Sequence, residues 1–368
     1  MNDLVNLNEK VVLMTQNINL LFSLLRDALW RNNEVQTIEL SEQEVAALFA
    51  LAKKQAVSGL VLDTLIRHGV KMKKQWVFEA LSLVEQIKQQ SRRVDEGVKK
   101  LHRAFAENGI KYVVVKGQPV ASLYPDSLLR QSGDIDYYCD ERNFSLSQEV
   151  VKNTWGIQTE KHGSDKHVHF DLDGVIYEGH FALADLYGNK RNAYWQQLLD
   201  GDGGTVVSID DVEISTLSPT LHVLYVFLHL YHHLLALGVG LRQFCDMAVM
   251  LHYNKDQINH QQLQEQLTEL GMMNAYRACG SVLVDILGLP ENELECVLKI
   301  KDRQYGQKIL NVVLYRGNMG HYNKRAGFRG WKHKIESFGI KVSHFMKFMP
   351  LAPGYSYGWL WHEVKKSL

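Results

Sequence analysis

Leu13, Ile18, Leu21, Leu24, Leu25 and Leu29 recur at the spacing that lines one face of an α-helix. Residues 9 to 108 read as helical throughout. Ser41 followed by Glu44 is a capping-box pattern that opens one of these helices. From Lys74 to Asn108 the chain holds no proline, and Gly97 is its one glycine. One or two long amphipathic helices are therefore predicted there, stopped by Asn108-Gly109.

The period then changes. Ile110 to Val115 is β-branched and aromatic and reads as a strand, ended by Lys116-Gly117. Pro119 to Tyr124 reads as a short helix with proline near its first turn, and Pro125 breaks it. Asp134 to Cys139 reads as a second strand. His167 to Asp171, the Asp173-Gly174 turn and Val175 to Ala182 read as a hairpin. Thr205 to Ile209 reads as one more short strand, bounded by Gly201 to Gly204 and by Asp210-Asp211. Beyond Pro219 the helical period returns, through Leu221 to His252 and Gln261 to Leu287. The most apolar stretch, Leu221 to Leu237, carries His222, His229, His232 and His233. These are costly in lipid, so a buried helix is expected rather than a membrane span.

The predicted class is α+β: a small mixed β-sheet core over residues 96–215, an N-terminal helical region over 1–95, and a C-terminal helical region with a basic, aromatic tail over 216–368. The 368 residues are 46% hydrophobic and 22% charged, an ordinary soluble globular balance. The 41 Lys and Arg match 41 Asp and Glu. No global field then draws in nucleic acid or an anionic membrane, and no obligate nucleic-acid partner is expected. Cys139, Cys245, Cys279 and Cys296 form no CxxC pair, so neither a zinc ribbon nor a disulfide framework is indicated. That usage fits a reducing cytoplasm, and the start MNDLVNLNEK shows no basic n-region of a signal peptide.

Asp134-Ile135-Asp136 is the sharpest chemical feature. On a strand, alternate residues share a face, so the two carboxylates project together. Adjacent carboxylates repel unless a cation sits between them, and hard oxygen ligands of this kind suit Mg²⁺ with substrate phosphates completing its shell. Two such ions ~3.5–4 Å apart would assist attack on a phosphate and departure of pyrophosphate. The plain alternative is that Asp134 ends the Ser132-Gly133 turn and Asp136 faces solvent. The surroundings favour the chemical reading. Lys116-Gly117 before a helix start lets backbone N–H groups approach a phosphate. Arg130, four residues before the acidic strand, is a candidate phosphate ligand. Glu178, an acid in an apolar strand beside Gly179, is a candidate third metal ligand.

Strand, glycine turn, helix, acidic pair and a later acidic strand together resemble the nucleotidyltransferase superfamily typified by DNA polymerase β. Within it, VVVKGQPVASLYPDSLLRQSGDIDYYCD, Glu178-Gly179-His180-Phe181 and Gly240 to Asp246 are similar to a bacterial family of uncharacterised nucleotidyltransferases. The resemblance spans roughly residues 95 to 255. It implies that Asp134, Asp136 and Glu178 bind the metals and act in catalysis, and that Gly117 is the phosphate-loop glycine. Many superfamily members have Gly-Ser or Gly-Gly in this loop. Here it is Gly117-Gln118, without the hydroxyl that often holds the γ-phosphate, so Lys116 or Ser122 becomes the substitute.

Other groups carry two readings each. His162, His167, His169 and His180 are either zinc ligands or half-exposed sheet histidines. His180 shares a face with Glu178 and is a candidate to tune that carboxylate or contact substrate. Arg242 and Asp246, four apart on a helix, form either an ion pair or, with His232, a place where His232 and Arg242 contact triphosphate or acceptor. The tail has Lys324, Arg325, Arg329, Lys332, Lys334, Lys341 and Lys347 interleaved with Phe328, Trp331, Phe338, Phe345 and Phe348, against one acid, Glu336. It reads as a solvated basic face, with weak membrane-surface association and, after it, nucleic-acid binding as the alternatives. The resulting expectation is a Mg²⁺-dependent nucleotidyltransferase that moves a nucleotidyl group from an NTP to an unidentified hydroxyl acceptor. Lys116, Gly117 and Arg130 would hold the nucleotide. The alternatives are a catalytically inactive nucleotide-binding or interaction protein on the same fold, and a zinc hydrolase.

Overall fold

A computed structural model describes residues 2–33, 39–161, 167–236, 238–318 and 331–367; for 2–14, 161, 331–338 and 366–367 it describes the backbone. Helices α1 (Asn2–Trp30), α2 (Glu42–Lys54) and α3 (Ser58–Arg67) lead into α4 (Lys74–Glu107). At the start of α2, Ser41 N–H donates to Glu44 Oε2 at 2.8 Å and Glu44 N–H donates to Ser41 Oγ at 3.3 Å. Both bonds satisfy donors that a helix N-terminus leaves open.

The stretch from Lys74 is one helix, not two. It ends in a Schellman motif: Gly109 takes φ +65°, and Ile110 N–H donates back to Phe105 O at 2.9 Å. Ile110 is spent on that closure, so strand β1 (Val113–Val115) begins three residues later than its β-branched run suggested. Helix α5 (Gly117–Ala121), a 3₁₀ turn (Ser127–Leu129), β2 (Asp134–Tyr138), α6 (Glu141–Trp155), β3 (Glu160–Lys161), β4 (His167–Leu172) and β5 (Val175–His180) follow. The short helix thus starts and ends earlier than the Pro119 to Tyr124 expectation.

The five strands form one mixed sheet in the order β1-β2-β5-β4-β3. β2 and β5 run parallel at its centre, and the other pairings are antiparallel. The β4–β5 hairpin turns through Asp173 (φ 56°) and Gly174 (φ 74°), the two positive φ values of a type I′ turn. Helix α7 (Asn189–Asp200) leads to a separate two-stranded hairpin, β6 (Thr205–Ile209) and β7 (Val212–Thr216). Strand β7 was not anticipated, nor were α6 and α7. The Asp210-Asp211 pair that reads as a boundary is in fact the hairpin's turn, with Asp210 at φ 52°.

Seven helices complete the described chain: α8 (Pro219–Ala236), α9 (Leu241–Tyr253), α10 (His260–Glu269), α11 (Met273–Asp285), α12 (Ile300–Arg316), α13 (Trp331–Phe348) and α14 (Pro353–Ser367). The result is the predicted α+β class. Helix α8 is the apolar stretch, and it is buried along most of its length. Among the described residues no helix is long and apolar enough to cross a membrane.

Two buried clusters hold the fold. One joins the two ends of the chain, with Leu21, Leu25, Leu48 and Val61 packed into the same core as Phe227, Phe244, Tyr276 and Trp359. The other lies between one sheet face and helices α4 and α6: Val98, Leu101, Phe105, Phe144, Ile135, Tyr137, Phe170 and Tyr177. Gly97 of α4 lies against the sheet. A Cβ there would lie 2.8 Å from both Ile135 Cδ1 and Tyr177 Oη, so a side chain at that position would force these buried groups to shift. In the tail, Phe345 and Phe348 are buried and Lys341 pairs with Glu363 of α14. Lys324, Arg325, Phe328 and Arg329 lie outside the described residues, as do the side chains of Trp331, Lys332, Lys334, Glu336 and Phe338.

Candidate active site

The second core fixes the register of the acidic strand. Ile135 and Tyr137 face α4, which turns Asp134 and Asp136 to the opposite face; a one-residue slip would exchange the two sets. On the neighbouring parallel strand Glu178 is the register partner of Asp136, His180 of Tyr138 and Ile176 of Asp134. The acids from two central strands therefore stand side by side. They line a cavity of about 470 Å³ with Lys116 and Gly117. Helices α8 and α9 close it from the other side through His229, His233, Arg242 and Asp246.

Asp136 is the most enclosed of these acids, at 3% exposure. Its Oδ1 lies 2.9 Å from Lys116 Nζ and 3.0 Å from His180 Nε2. Burial alone would raise its pKa. Lys116 and the His180 hydrogen bond outweigh burial and hold the carboxyl well below the usual range. Asp134 is pushed up, first by the charge of Asp136 and then by burial, against the pull of Lys116 and Arg242. Glu178 is also raised, by burial and then by Asp136 and Asp134. The site thus carries more negative charge than Lys116 offsets.

Lys116 is held by its backbone as well as by its charge. It sits at φ 57° and ψ −129°, and its N–H donates to His222 Nε2 at 3.0 Å. Burial pushes His222 down to about 3, so the imidazole stays neutral and accepts that bond. Gly117 follows at φ +28°, where glycine is free of the strain a side chain would bring. Gln118 turns away from the cavity: its amide donates to Asp95 of α4. Ser122 is no substitute hydroxyl either, because its Oγ donates to Pro119 O at 2.8 Å.

Arg130 reaches the same cavity, but its guanidinium is engaged. Nε and Nη2 donate to the two oxygens of Asp246 at 2.7 and 2.9 Å, and Nη1 donates to Ser132 Oγ at 2.8 Å. Tyr124 Oη donates to the same Asp246 at 2.7 Å. Asp246 therefore takes Arg130, 116 residues away, rather than Arg242 one turn away. Arg242 donates instead to Gln131 O at 2.7 Å and lines the cavity beside Asp134. Its pKa is lowered by burial and then by Arg130. His232 is not in this cavity. It lines an adjoining one, near Tyr187 and Tyr355.

The donor atoms of Asp136, Glu178 and His180 lie within 4.8 Å of one another. The carboxylates of Asp136 and Glu178 are hard oxygen donors of the kind that suits a divalent cation; Asp134, two residues along the same strand face, is not part of that group. Among the described residues the four-histidine zinc expectation has no such cluster. His167 and His169 lie on β4, with His167 facing His180 at 5.7 Å between rings, and His169 beside Glu160 at 3.5 Å. His162 lies outside the described residues.

Asp134, Asp136 and Glu178 thus share one cavity with Lys116, Arg130 and Arg242. The sequence comparison supplies the class: residues 41–288 match the family described as uncharacterised nucleotidyltransferase, and the chain belongs to that family. Among solved structures it is similar to an antigenic nucleotidyltransferase-like protein from Paracoccidioides brasiliensis, at 16% identity, covering 54% of this chain and 92% of that one, with a TM-score of 0.31. Comparison with curated proteins gives no match.

The residues missed in the sequence are those that hold the others: His222 under Lys116, Tyr225 whose ring lies 5.9 Å from Lys116 Nζ, and Asp246 as the partner of Arg130. One signal was available. His222, His229 and His233 recur at helical spacing, which puts His229 and His233 on one face of α8.

Proposed function

We propose that this chain is a Mg²⁺-dependent nucleotidyltransferase of the DNA polymerase β-like superfamily, moving a nucleotidyl group from an NTP to an acceptor hydroxyl. The observation that carries the proposal is the shared cavity: Asp134, Asp136 and Glu178 face it together with Lys116, Gly117 and Arg242. Asp134, Asp136 and Glu178 would hold the metal, which when bound supplies charge neutralisation at the phosphate oxygens.

The chain's own groups do the rest by positioning and electrostatics. Lys116 and His180 keep Asp136 ionised and fixed in direction. Arg242 is the cation best placed for a phosphate, since Arg130 is tied to Asp246 and acts by fixing the segment that leads into β2. Gly117 gives the turn its close backbone approach. The acceptor oxygen bonds to the α-phosphorus as the bond to the leaving pyrophosphate breaks, and its proton passes to water.

Calorimetry of the full chain with each NTP, with and without Mg²⁺, tests this. Metal-dependent binding that disappears in Asp136→Ala is expected; NTP binding unchanged by that substitution would overturn the proposal and favour a non-catalytic binder.

A further inference from the structure

A second cavity, of about 380 Å³, adjoins the first. His229 and His233 belong to both walls. His180 lines the second while its Nε2 lies 3.0 Å from Asp136, so the two chambers meet at the acidic site.

Their charge differs. The first is lined by Lys116, Arg130 and Arg242. Among the described residues the second is lined by no Lys or Arg, and its one acid, Asp185, accepts from Tyr187 N–H at 2.9 Å. Its walls are aromatic. Tyr187 and Tyr355 meet edge to face at 5.2 Å, and His232 Nδ1 lies 3.3 Å and 3.2 Å from their hydroxyls. Burial, reinforced by Lys116 and the neighbouring imidazoles, holds His229 and His233 far below the ordinary histidine range, so both are neutral at pH 7.

Resting on the nucleotidyltransferase reading, we propose that the second cavity binds the acceptor, and that the acceptor is an uncharged, ring-bearing small molecule carrying a hydroxyl. Its volume is within the range of small-molecule pockets, roughly 300–1,000 Å³. A phosphate ester placed there would lose its hydration with no Lys or Arg among the described lining residues to replace it. An uncharged ring loses far less, stacks on the tyrosines, and finds imidazole and phenol partners for its hydroxyls. In the transfer, the acceptor O–H gives up its proton to water. The oxygen bonds to the α-phosphorus, and the α–β bridging bond breaks with its electron pair leaving on pyrophosphate.

The test uses α-labelled NTP, Mg²⁺ and the full chain. A low-molecular-weight cell extract is split on an anion exchanger into a neutral flow-through and a retained, phosphate-bearing fraction; a macromolecular fraction is kept separately. Label is expected on the flow-through fraction. With its labelled component purified, Tyr355→Leu should lower kcat/KM at least tenfold, mainly through KM, and Tyr355→Phe should restore most of it. Label on the retained or macromolecular fraction, or a KM unmoved by Tyr355→Leu in folded protein, overturns the proposal. If no fraction is labelled and calorimetry detects no NTP binding, the transferase reading itself has failed; NTP binding with no labelled fraction counts against the acceptor cavity.

Discussion

Asp246 is 5% exposed and Arg130 4%, and they share a bidentate ion pair that also satisfies Tyr124. Asp246→Leu would leave the Arg130 guanidinium buried beside Arg242 with no carboxylate. Breaking a buried pair from one side costs about 3–5 kcal/mol. Removing both charges with apolar residues of similar volume, Arg130→Met with Asp246→Leu, removes that penalty; what remains is the acceptor lost by Tyr124 and the donor lost by Ser132, about 1–3 kcal/mol together. The double variant should therefore be more stable than Asp246→Leu alone by about 2 kcal/mol, and with about 3–5 kcal/mol lost in each single variant the double-mutant cycle should give a coupling of about 3–9 kcal/mol. Urea denaturation followed by tryptophan fluorescence at pH 7.5 measures all four corners. A coupling below about 1 kcal/mol would refute the claim that Arg130 is locked by Asp246, and would return it to the set of free phosphate ligands.

Three further outcomes follow from the same packing. Gly97→Val places side-chain atoms into Ile135 and Tyr177 and should destabilise by about 1–3 kcal/mol, read as a lowered urea midpoint. His222 is held at about 3 in the fold and titrates near 6.5 when unfolded, so the unfolded chain takes up the proton first. Its contribution is complete above pH 6.5 and is lost as pH falls toward 3, reaching about 2 kcal/mol at pH 5. His222→Gln, which keeps an acceptor for Lys116 N–H, should flatten the melting-temperature profile between pH 7 and pH 5; an unchanged profile would contradict the buried neutral imidazole. Lys116→Met leaves Asp136 enclosed without its cation and should abolish nucleotide transfer while lowering stability by about 3–5 kcal/mol, checked by turnover and urea midpoint together.

The parts of the site that were legible in the sequence are those set by local period. Alternation put Asp134 and Asp136 on one face, and Asp173-Gly174 fixed the β4–β5 hairpin register; the parallel β2–β5 pairing that brings Glu178 beside Asp136 joins distant segments and had no local signal. Partner choice across the fold was not legible. Arg242 and Asp246 are one helical turn apart and read as a pair, yet Asp246 takes Arg130, whose planar fork matches both carboxylate oxygens. Gln118 stands where a phosphate-binding hydroxyl was expected, and only the approach of α4 shows it turned to Asp95. Strand β7 was hidden because an Asp-Asp pair reads equally as a boundary or a turn.

Asp134, Asp136 and Glu178 should act as one metal-holding group on an NTP. This is tested most directly by incubating the full chain with Mg²⁺, each α-labelled NTP and extract, comparing wild type with Asp134→Asn, Asp136→Asn and Glu178→Gln. Stable label and released pyrophosphate are expected from wild type, lost on chelation and reduced at least a hundredfold in each variant. Transfer that persists in all three folded variants, or without divalent metal, would contradict it.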